Sequence, residues 1–432
     1  MQVLIGFIIV MLCIFLGAPV MYAFAAGSLY LIFVTGMDPS FLFSYGYASL
    51  NSTVLLVIPM FILAGSLIEK GQIGKALVDF ICRFVGRIKG GLAIVSVITC
   101  AVFGAISGSG AATLTCIGSI LSGRLKERGY PAGHVGALFA CAAPLGLLIP
   151  PSAIQIVFAW TTGTSVLGCF LAIVGPGLLL TLLLCITNYF MLRNNKDIVY
   201  DEKQPPAEWR KETLKTTKSA FPALLLPVII LGTIYGGVLT VTESAVAGVL
   251  YSLILGLFVY KGLRNWKTFK ESLLSAGSST GAIMCMFLIM LVLSQVLTRM
   301  GLPQMISNFM LSITDNKWII LLMVNVFLIL LGMMMDDTSC TILVAPMLLP
   351  LMIKLGVSPM QWAAIIGVNV GLANITPPAA PFLYLSCRVC GNSFKEELKP
   401  TLIMILCAWV PVLFFTTFVP QLSTWLPAIC GY

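Results

Sequence analysis

The fold is decided by one apolar stretch, WIILLMVNVFLILLGMMMDDTSCTILVAPMLLPLMI (318–353), whose only charges are Asp336 and Asp337. As a single helix these 36 residues would be about 54 Å long, whereas a bilayer core needs only about 30 Å. The stretch must therefore break near the two aspartates. A surface turn between two full spans would explain the charges, but the second arm (339–353) would reach only about 22 Å as a helix. We therefore predict a re-entrant hairpin whose polar tip lies inside the membrane, where carboxylates usually face a cavity or an ion path.

A second stretch repeats this pattern. Residues 90–123 carry no charge and hold the small polar sequence Ser107-Gly108-Ser109-Gly110 at their centre. A shift of 228 residues superimposes the two regions without a gap, so that the breaks, the tips and the later proline pairs share one offset. The identities at this offset are Gly104 and Gly332, Thr113 and Thr341, Leu121 and Leu349, Lys126 and Lys354, Pro131 and Pro359, Pro150 and Pro378, and Gly163 and Gly391. The sequence therefore predicts a duplicated membrane protein.

Composition excludes a soluble protein. Hydrophobic residues make up 59% of the chain and charged residues 9%, and the mean hydropathy is +1.02. The net charge of +9 then indicates positive cytoplasmic loops beside a lipid bilayer, and not a nucleic-acid surface. The 13 cysteines are scattered, and Cys387-x-x-Cys390 has no second pair or histidine nearby, so neither a disulfide framework nor a transition-metal centre is expected.

We predict an all-α polytopic membrane protein with about ten transmembrane helices and two re-entrant hairpins. Six helices per half, one of them a non-crossing hairpin, would make the halves inverted repeats with both termini outside. An amphipathic helix is expected at 69–89, on the cytoplasmic interface. The first repeat is 1–192 (hairpin 91–125, broken span 134–165), the cytoplasmic linker is 193–220, and the second repeat is 221–432 (hairpin 318–353, broken span 360–388). The remaining spans are predicted at 2–16, 19–35, 50–68, 166–192, 221–239, 242–261, 272–297 and 400–426.

Two hairpin tips facing two broken helices give two candidate sites of one type. Prolines inside a span free backbone carbonyls, which membrane depth tolerates only beside a cavity or an ion. Oxygen ligands suit a hard cation such as Na⁺, and half-helix N-termini suit an anionic substrate. Close packing of small residues, or a solvated turn for the aspartates, remains the structural alternative. The candidates are Ser107, Gly108, Ser109, Gly110, Leu148 and Pro150 in the first site, and Asp336, Thr338, Asn369, Gly371, Thr376 and Pro377 in the second.

Other polar residues and other functions fit less well. Thr240-x-x-Glu243 has capping-box spacing ahead of an apolar run. His134, the only histidine, suits an interfacial helix end, with a proton relay as the alternative. Asp337 could face either the site or water.

An intramembrane aspartyl protease needs two aspartates on different helices, and here the pair is adjacent. A channel would need a continuous polar pore, whereas hairpins suit alternating access.

The motifs resemble those of one family. Several appear in family order: Ser107-Gly108-Ser109, Gly146 to Ser152, Thr242-Glu243, Met335-Asp336-x-Thr338, and Asn369 with Thr376-Pro377-Pro378. The chain looks like the large membrane subunit of a tripartite ATP-independent periplasmic (TRAP) transporter over essentially its whole length. It departs from the usual pattern at four residues: Ala373, Ala380, Ser339 and Asp337.

The resemblance implies a transporter and not an enzyme. It implies an elevator-type, Na⁺-coupled importer of small organic acids in the bacterial inner membrane, with sodium sites at the hairpin tips and opposing breaks. No cofactor is implied beyond Na⁺ as the coupling ion. The implied partners are a small four-helix membrane subunit and a periplasmic substrate-binding protein. The alternative is a stand-alone Na⁺- or H⁺-coupled carboxylate symporter.

Overall fold

The computed structural model describes residues 2–85, 91–195, 197–199, 206–378 and 380–432, and every regular element in them is helical. The first half contains α1 (Gln2–Phe15), α2 (Val20–Thr35), α3 (Pro39–Leu50), α4 (Val57–Lys70), α5 (Ile73–Val85), α6 (Gly91–Ser107), α7 (Gly110–Glu127), α8 (Ala132–Ala142), α9 (Leu145–Leu148), α10 (Ala153–Thr162) and α11 (Val166–Leu192). The second half contains α12 (Pro206–Tyr235), α13 (Val241–Ile254), α14 (Trp266–Arg299), α15 (Leu302–Ile313), α16 (Lys317–Gly332), α17 (Asp337–Lys354), α18 (Pro359–Ala373), α19 (Pro381–Cys390), α20 (Phe394–Met404), α21 (Val410–Phe418) and α22 (Gln421–Ile429).

The all-helical membrane architecture is confirmed. Within the described ranges, seven helices are long and apolar enough to cross a membrane, or eight if the bent pair over 132–162 forms one span. The apolar helices α1, α2, α6, α16 and α18 are shorter than that, so the number of ten spans stays a prediction. The amphipathic segment predicted at 69–89 is helical as α5 up to Val85, and its last residues lie outside the described part.

Both predicted hairpins are helix pairs with a break at the polar tip. The first breaks between α6 and α7 at Gly108 and Ser109, and the second breaks between α16 and α17 just before Asp337. The predicted second arm of the second hairpin, 339–353, is too short, because α17 has 18 residues, as has α7 in the first hairpin. At 1.5 Å per residue each arm is about 27 Å long, so length alone does not separate a re-entrant arm from a crossing one.

The broken spans are also present. Helices α8 and α9 bend by 42° into α10, and the second break separates α18 from α19. Both breaks contain a cis peptide bond, at Pro150–Pro151 and at Pro377–Pro378. Helix starts recur at an offset of 227 for α7 and α17 and for α8 and α18, and of 228 for α10 and α19. In the structure the two halves are therefore related by 227 residues up to the breaks and by 228 after them, whereas the sequence comparison used 228 throughout.

The two halves pack against each other reciprocally. Arm α7 contacts α19 and arm α17 contacts α10, so each hairpin touches the distal piece of the other half's broken helix. Likewise α8 packs against α20 and α18 against α11. A duplication predicts this exchange, and the inverted orientation of the halves stays a prediction.

Four segments differ from the expected pattern. The predicted linker 193–220 is helical from Pro206 onward, because α12 continues without a break from the charged segment into the next span. The last span ends at Phe418, and α22 follows as a separate short helix. Helices α3 and α15 were not assigned from the sequence: α3 is capped by the Asp38 side chain, and α15 starts after Gly301 in a left-handed conformation. The capping box at Thr240 and Glu243 is confirmed.

Candidate functional site

The first hairpin tip is a compact cluster of oxygen atoms. The Ser107 Oγ lies 3.2 Å from the Thr113 Oγ1, and the Thr113 hydroxyl donates to the Ser109 carbonyl at 2.8 Å. The Ser109 side chain caps α7 by accepting from the Ala112 N–H at 3.4 Å. Ser107 and Thr113 are buried. Hydroxyl and carbonyl oxygens therefore converge where the N-terminal end of α7 begins.

Glycines bring this tip onto the first break. A Cβ on Gly146 would lie 2.8 Å from both the Ser109 carbonyl oxygen and the Thr113 Oγ1. A Cβ on Gly104 would lie 2.6 Å from the Gly146 Cα. Gly108 adopts a left-handed φ of +61°, and a Cβ there would lie 2.8 Å from the Pro151 carbonyl oxygen. Only residues without a side chain allow this approach, so the first tip packs directly on the first break.

The first tip also contacts helices outside its own hairpin. A Cβ on Gly110 would lie 2.7 Å from the ring of Phe382, which is buried at the start of α19. Gly65 of α4 lies on another side, where a Cβ would be 3.5 Å from the Ser107 carbonyl oxygen. The tip is therefore enclosed by both halves of the chain.

The second tip is built around Asp336. Its side chain caps α17 by accepting from the Ser339 N–H at 3.1 Å, and the same Oδ2 accepts the hydroxyl of Thr338. The other carboxylate oxygen, Oδ1, is buried and has no hydrogen-bond partner among the described residues, and neither has the Ser339 Oγ. Asp337 instead accepts at 3.0 Å from the Thr338 N–H, so the two aspartates have different environments.

The second break carries a chain of buried amides. The Asn369 Nδ2 donates at 2.8 Å to the Asn325 Oδ1 of α16, and the Asn325 Nδ2 donates at 3.0 Å to the Thr417 hydroxyl of α21. The Asn369 Oδ1 is buried without a partner in the described part of the chain. A Cβ on Gly332 would lie 2.7 Å from the Ala373 Cβ, so the last turn of α16 packs directly on the end of α18. The Thr376 hydroxyl donates to the Leu372 carbonyl at 2.7 Å and so stays within its own segment.

Two predicted residues have packing contacts away from the tips. The Leu148 carbonyl faces Gly177 of α11, where a Cβ would lie 3.0 Å from it, and its side chain faces Gly367 of α18. Gly371 lets α18 approach the first break, because a Cβ there would lie 2.8 Å from the Trp409 ring and 3.4 Å from the Pro144 Cβ. Pro150 and Pro377 both precede the cis bonds of the breaks.

The sequence analysis did not select Thr113, Ser339 or Asn325. Thr113 carried a usable signal, because it matches Thr341 in the repeat. Ser339 follows from the spacing of a cap three residues after Asp336. Asn325 stands alone in an apolar helix with no local pattern, so only tertiary packing places it beside Asn369. His134, expected at an interfacial helix end, is at the start of α8 but is only 4% exposed.

The donor set suits a hard cation. Buried polar atoms normally have partners, so the unpartnered oxygens of Asp336, Ser339 and Asn369 call for an explanation. Hard cations prefer carboxylate, hydroxyl and amide oxygens as ligands, and a bound cation would give these atoms a partner. No group of three His, Cys, Asp or Glu side chains that could hold a metal ion is found among the described residues.

Comparison with known proteins gives a consistent result. The sequence model for "Tripartite ATP-independent periplasmic transporter, DctM component" matches residues 7–422. A C4-dicarboxylate TRAP transporter large permease protein, DctM, of Vibrio cholerae is 35% identical over 99% of this chain and 98% of its own length. A sialic acid TRAP transporter large permease protein, SiaM, of the same species is 29% identical, with 97% of each chain covered.

A solved structure resembles the fold. The YdaH transporter of Alcanivorax borkumensis superimposes with a TM-score of 0.63 over 90% of this chain and 91% of its own. At 17% sequence identity the likeness concerns the fold alone.

Proposed function

This chain belongs to the DctM family, the large permease components of TRAP transporters, and we propose that it couples the import of a small organic acid to the entry of Na⁺. As a permease component it is a transporter and not an enzyme. Its several apolar helices make it a multi-pass membrane protein. We place it in the bacterial inner membrane, where a permease fed by a periplasmic protein must act.

The observation that carries the Na⁺ proposal is the set of oxygens at the second tip. Asp336 Oδ1 is a buried carboxylate oxygen without a donor, and leaving it so would cost several kcal/mol in the absence of a counter-charge. The described residues provide neither an ion pair nor a hydrogen bond for this atom. A co-transported Na⁺ would compensate the charge, with Ser339 and Asn369 as further oxygen donors. At the first tip Ser107, Ser109 and Thr113 would bind Na⁺ through neutral oxygens.

The relatives and the helix ends support a carboxylate as the substrate. The named relatives transport a C4-dicarboxylate and sialic acid, both of which carry a carboxylate. Helices α7 and α17 begin at the two tips, and a helix N-terminus favours an anion. We infer that the substrate carboxylate lies between the tips, where Na⁺ offsets the remaining negative charge of Asp336.

Coupling would arise because the substrate binds well only after Na⁺ has bound. With the carboxylate of Asp336 uncompensated, the second tip would repel an anionic substrate, so substrate binding would require the cation first. The reciprocal contacts of α7 with α19 and of α17 with α10 would carry both sites together across the membrane, as an elevator. The helices outside this core would form the fixed part of the protein against which the two sites move.

We also propose that the chain works with two partners, a small four-helix membrane subunit and a periplasmic substrate-binding protein. Family membership supports this, since the family is named for a tripartite system. The partners would widen the frame and deliver the substrate.

Uptake by the reconstituted three-component system tests the proposal. Liposomes carrying an inward Na⁺ gradient should accumulate a C4-dicarboxylate, and liposomes with only a proton gradient in Na⁺-free buffer should not. A matched inward K⁺ gradient is the control for ionic strength and membrane potential. Equal uptake driven by protons without Na⁺ would contradict the coupling, and would favour a proton symporter.

A further inference from the structure

Eight exposed basic side chains lie on α12, on α14 and on the connection before α14. The α12 members Arg210, Lys211, Lys215 and Lys218 are all exposed, as are Lys261 and Arg264 of the α13–α14 connection and Lys267 and Lys270 of α14. We call these eight residues the basic collar. Transport at the hairpin tips uses none of them.

Three contacts hold the collar elements in fixed positions. The Tyr260 hydroxyl donates at 2.6 Å to the Ser219 carbonyl, which ties the α13–α14 connection to α12 beside Lys218. Gly262 lies against the end of α4, where a Cβ would be 2.9 Å from the Lys70 carbonyl oxygen. The Ser66 hydroxyl donates at 3.0 Å to the Ser272 carbonyl, which ties α4 to α14. The collar charges therefore stand on one packed body.

The collar cations are unpaired in the described part of the chain. Within the described ranges, none of the eight side chains forms an ion pair. The acidic residues on the same elements are Glu69, Glu212, Glu271 and Glu208, whose side chain lies outside the described part; Glu69 pairs with Lys70 at 3.8 Å, and Glu212 has a partner outside the collar. Lys211, Lys215 and Lys218 are spaced by four and three residues, so they share one face of α12.

Two basic residues elsewhere on the chain have internal partners. Arg124 pairs with Asp79 at 2.9 Å, and the Lys126 ammonium donates to the Asn392 Oδ1 at 2.7 Å. These two residues belong to the exit of the first hairpin. The collar differs from these two residues because its cations are exposed, and from the exposed Arg388, Lys395 and Lys399 because it has eight cations on elements that contact one another.

The collar lies at the level of a bilayer surface. The candidate span of α12 runs from Arg210 to Tyr235, so its cations are at one end of a membrane helix. Trp266, at the start of α14, is 72% exposed, and exposed tryptophan marks the headgroup region. Leu214 is 53% exposed between the collar lysines, and it presents apolar surface at the same level.

We propose that the basic collar binds the phosphate headgroups of anionic phospholipids. Lipid fits better than a soluble phosphate compound, because the cations alternate with exposed apolar side chains that an acyl chain would cover. Basic residues beside a membrane helix attract anionic lipid with about fivefold in affinity per charge, which corresponds to ~1 kcal/mol. The collar would thereby fix one body of the permease in the membrane while the tips move.

Lipid retention measures this directly. The full chain is placed in nanodiscs of phosphatidylcholine with one-fifth phosphatidylglycerol, extracted in detergent, and weighed with its bound lipids by native mass spectrometry. The wild type should retain phosphatidylglycerol in preference to phosphatidylcholine. The variant Lys211→Gln/Lys215→Gln/Lys218→Gln should bind it roughly 100-fold more weakly, from three charges at fivefold each.

The matched control removes three exposed cations of α19 and α20, as Arg388→Gln/Lys395→Gln/Lys399→Gln. It should retain phosphatidylglycerol within about threefold of the wild type. An equal loss in the two triple variants would attribute binding to net charge and overturn the proposal. So would unchanged retention in the collar variant.

Two further arms cover the remaining outcomes. Lys→Arg substitutions at the same three collar positions keep the charge and should keep the lipid, so that loss of lipid from the glutamine variant is not a folding effect. Inorganic phosphate in large excess should leave the bound phosphatidylglycerol in place. Displacement by phosphate would identify a soluble-anion site instead of a lipid site.

Discussion

Replacing Gly104 by alanine tests the contact between the first tip and the first break. The added Cβ would lie 2.6 Å from the Gly146 Cα and 2.9 Å from its nitrogen, both backbone atoms that cannot turn away. Ordinary carbon contacts are about 3.5 to 4.0 Å, so α6 and α9 must separate by about 1 Å. Such overpacking typically costs about 1–3 kcal/mol, against a gain of about 1 kcal/mol for replacing a helical glycine by alanine.

The net expectation for Gly104→Ala is a loss of about 1 kcal/mol in stability and a larger loss of transport. A tip displaced by about 1 Å no longer presents the oxygens of Ser107 and Ser109 in one place, and misplacements of that size can reduce activity about 100-fold. The measurements are the thermal unfolding midpoint in detergent and the initial uptake rate in liposomes.

The control is Gly123→Ala in α7, where a Cβ would meet no atom within 4 Å. This variant should keep its transport rate and should be as stable as the wild type or up to about 1 kcal/mol more stable. Wild-type stability and uptake in Gly104→Ala would refute the reasoning, because the tip would then tolerate a separation from the break.

Three further predictions concern other parts of the molecule. Single cysteines replacing Ser107 and Thr338, in a chain cleared of its reactive native cysteines, should react with an impermeant reagent from opposite sides of the membrane. Labelling of both from one side only, in every condition, would rule out inverted hairpins. Glu397→Ala should destabilise the chain by about 3 kcal/mol and Glu397→Gln by less, because the buried carboxylate accepts from Ser386 and from Asn392; a melting midpoint equal to that of the wild type would argue against this. The chain alone, given Na⁺ and free substrate, should import little until both partners are added, whereas brisk uptake without them would point to a stand-alone symporter.

The sequence predicted the order of elements because charges and prolines are local signals. Two aspartates in an apolar run, and the Ser-Gly-Ser-Gly tip at the equivalent place, marked both helix breaks to within a residue or two. Helix ends were less predictable. Arms α7 and α17 continue past the last apolar residues, through Lys126 and up to Lys354, because hydrogen bonds extend a helix beyond its buried face.

Only some of the site residues could be predicted from the sequence. Asp336, Ser107 and Ser109 stood out because polar residues are costly at membrane depth. Asn325 did not, since its role depends on the position of α18 and α21 relative to α16. Leu148 and Gly371 belonged to the right motifs, but the structure gives them packing contacts that only the tertiary fold determines.

The central claim is that the Asp336 carboxylate binds a transported Na⁺. Its most direct test is the Na⁺ dependence of uptake in Asp336→Asn. The neutral amide should raise the Na⁺ concentration for half-maximal uptake at least tenfold, because Asp336 Oδ1 is the charged oxygen among the unpartnered atoms of the described part of this tip. Asp337→Asn is the matched control, since Asp337 accepts from the Thr338 N–H and should shift that concentration much less. An unchanged Na⁺ dependence in Asp336→Asn, with normal expression, would contradict the account and return both aspartates to a solvated turn.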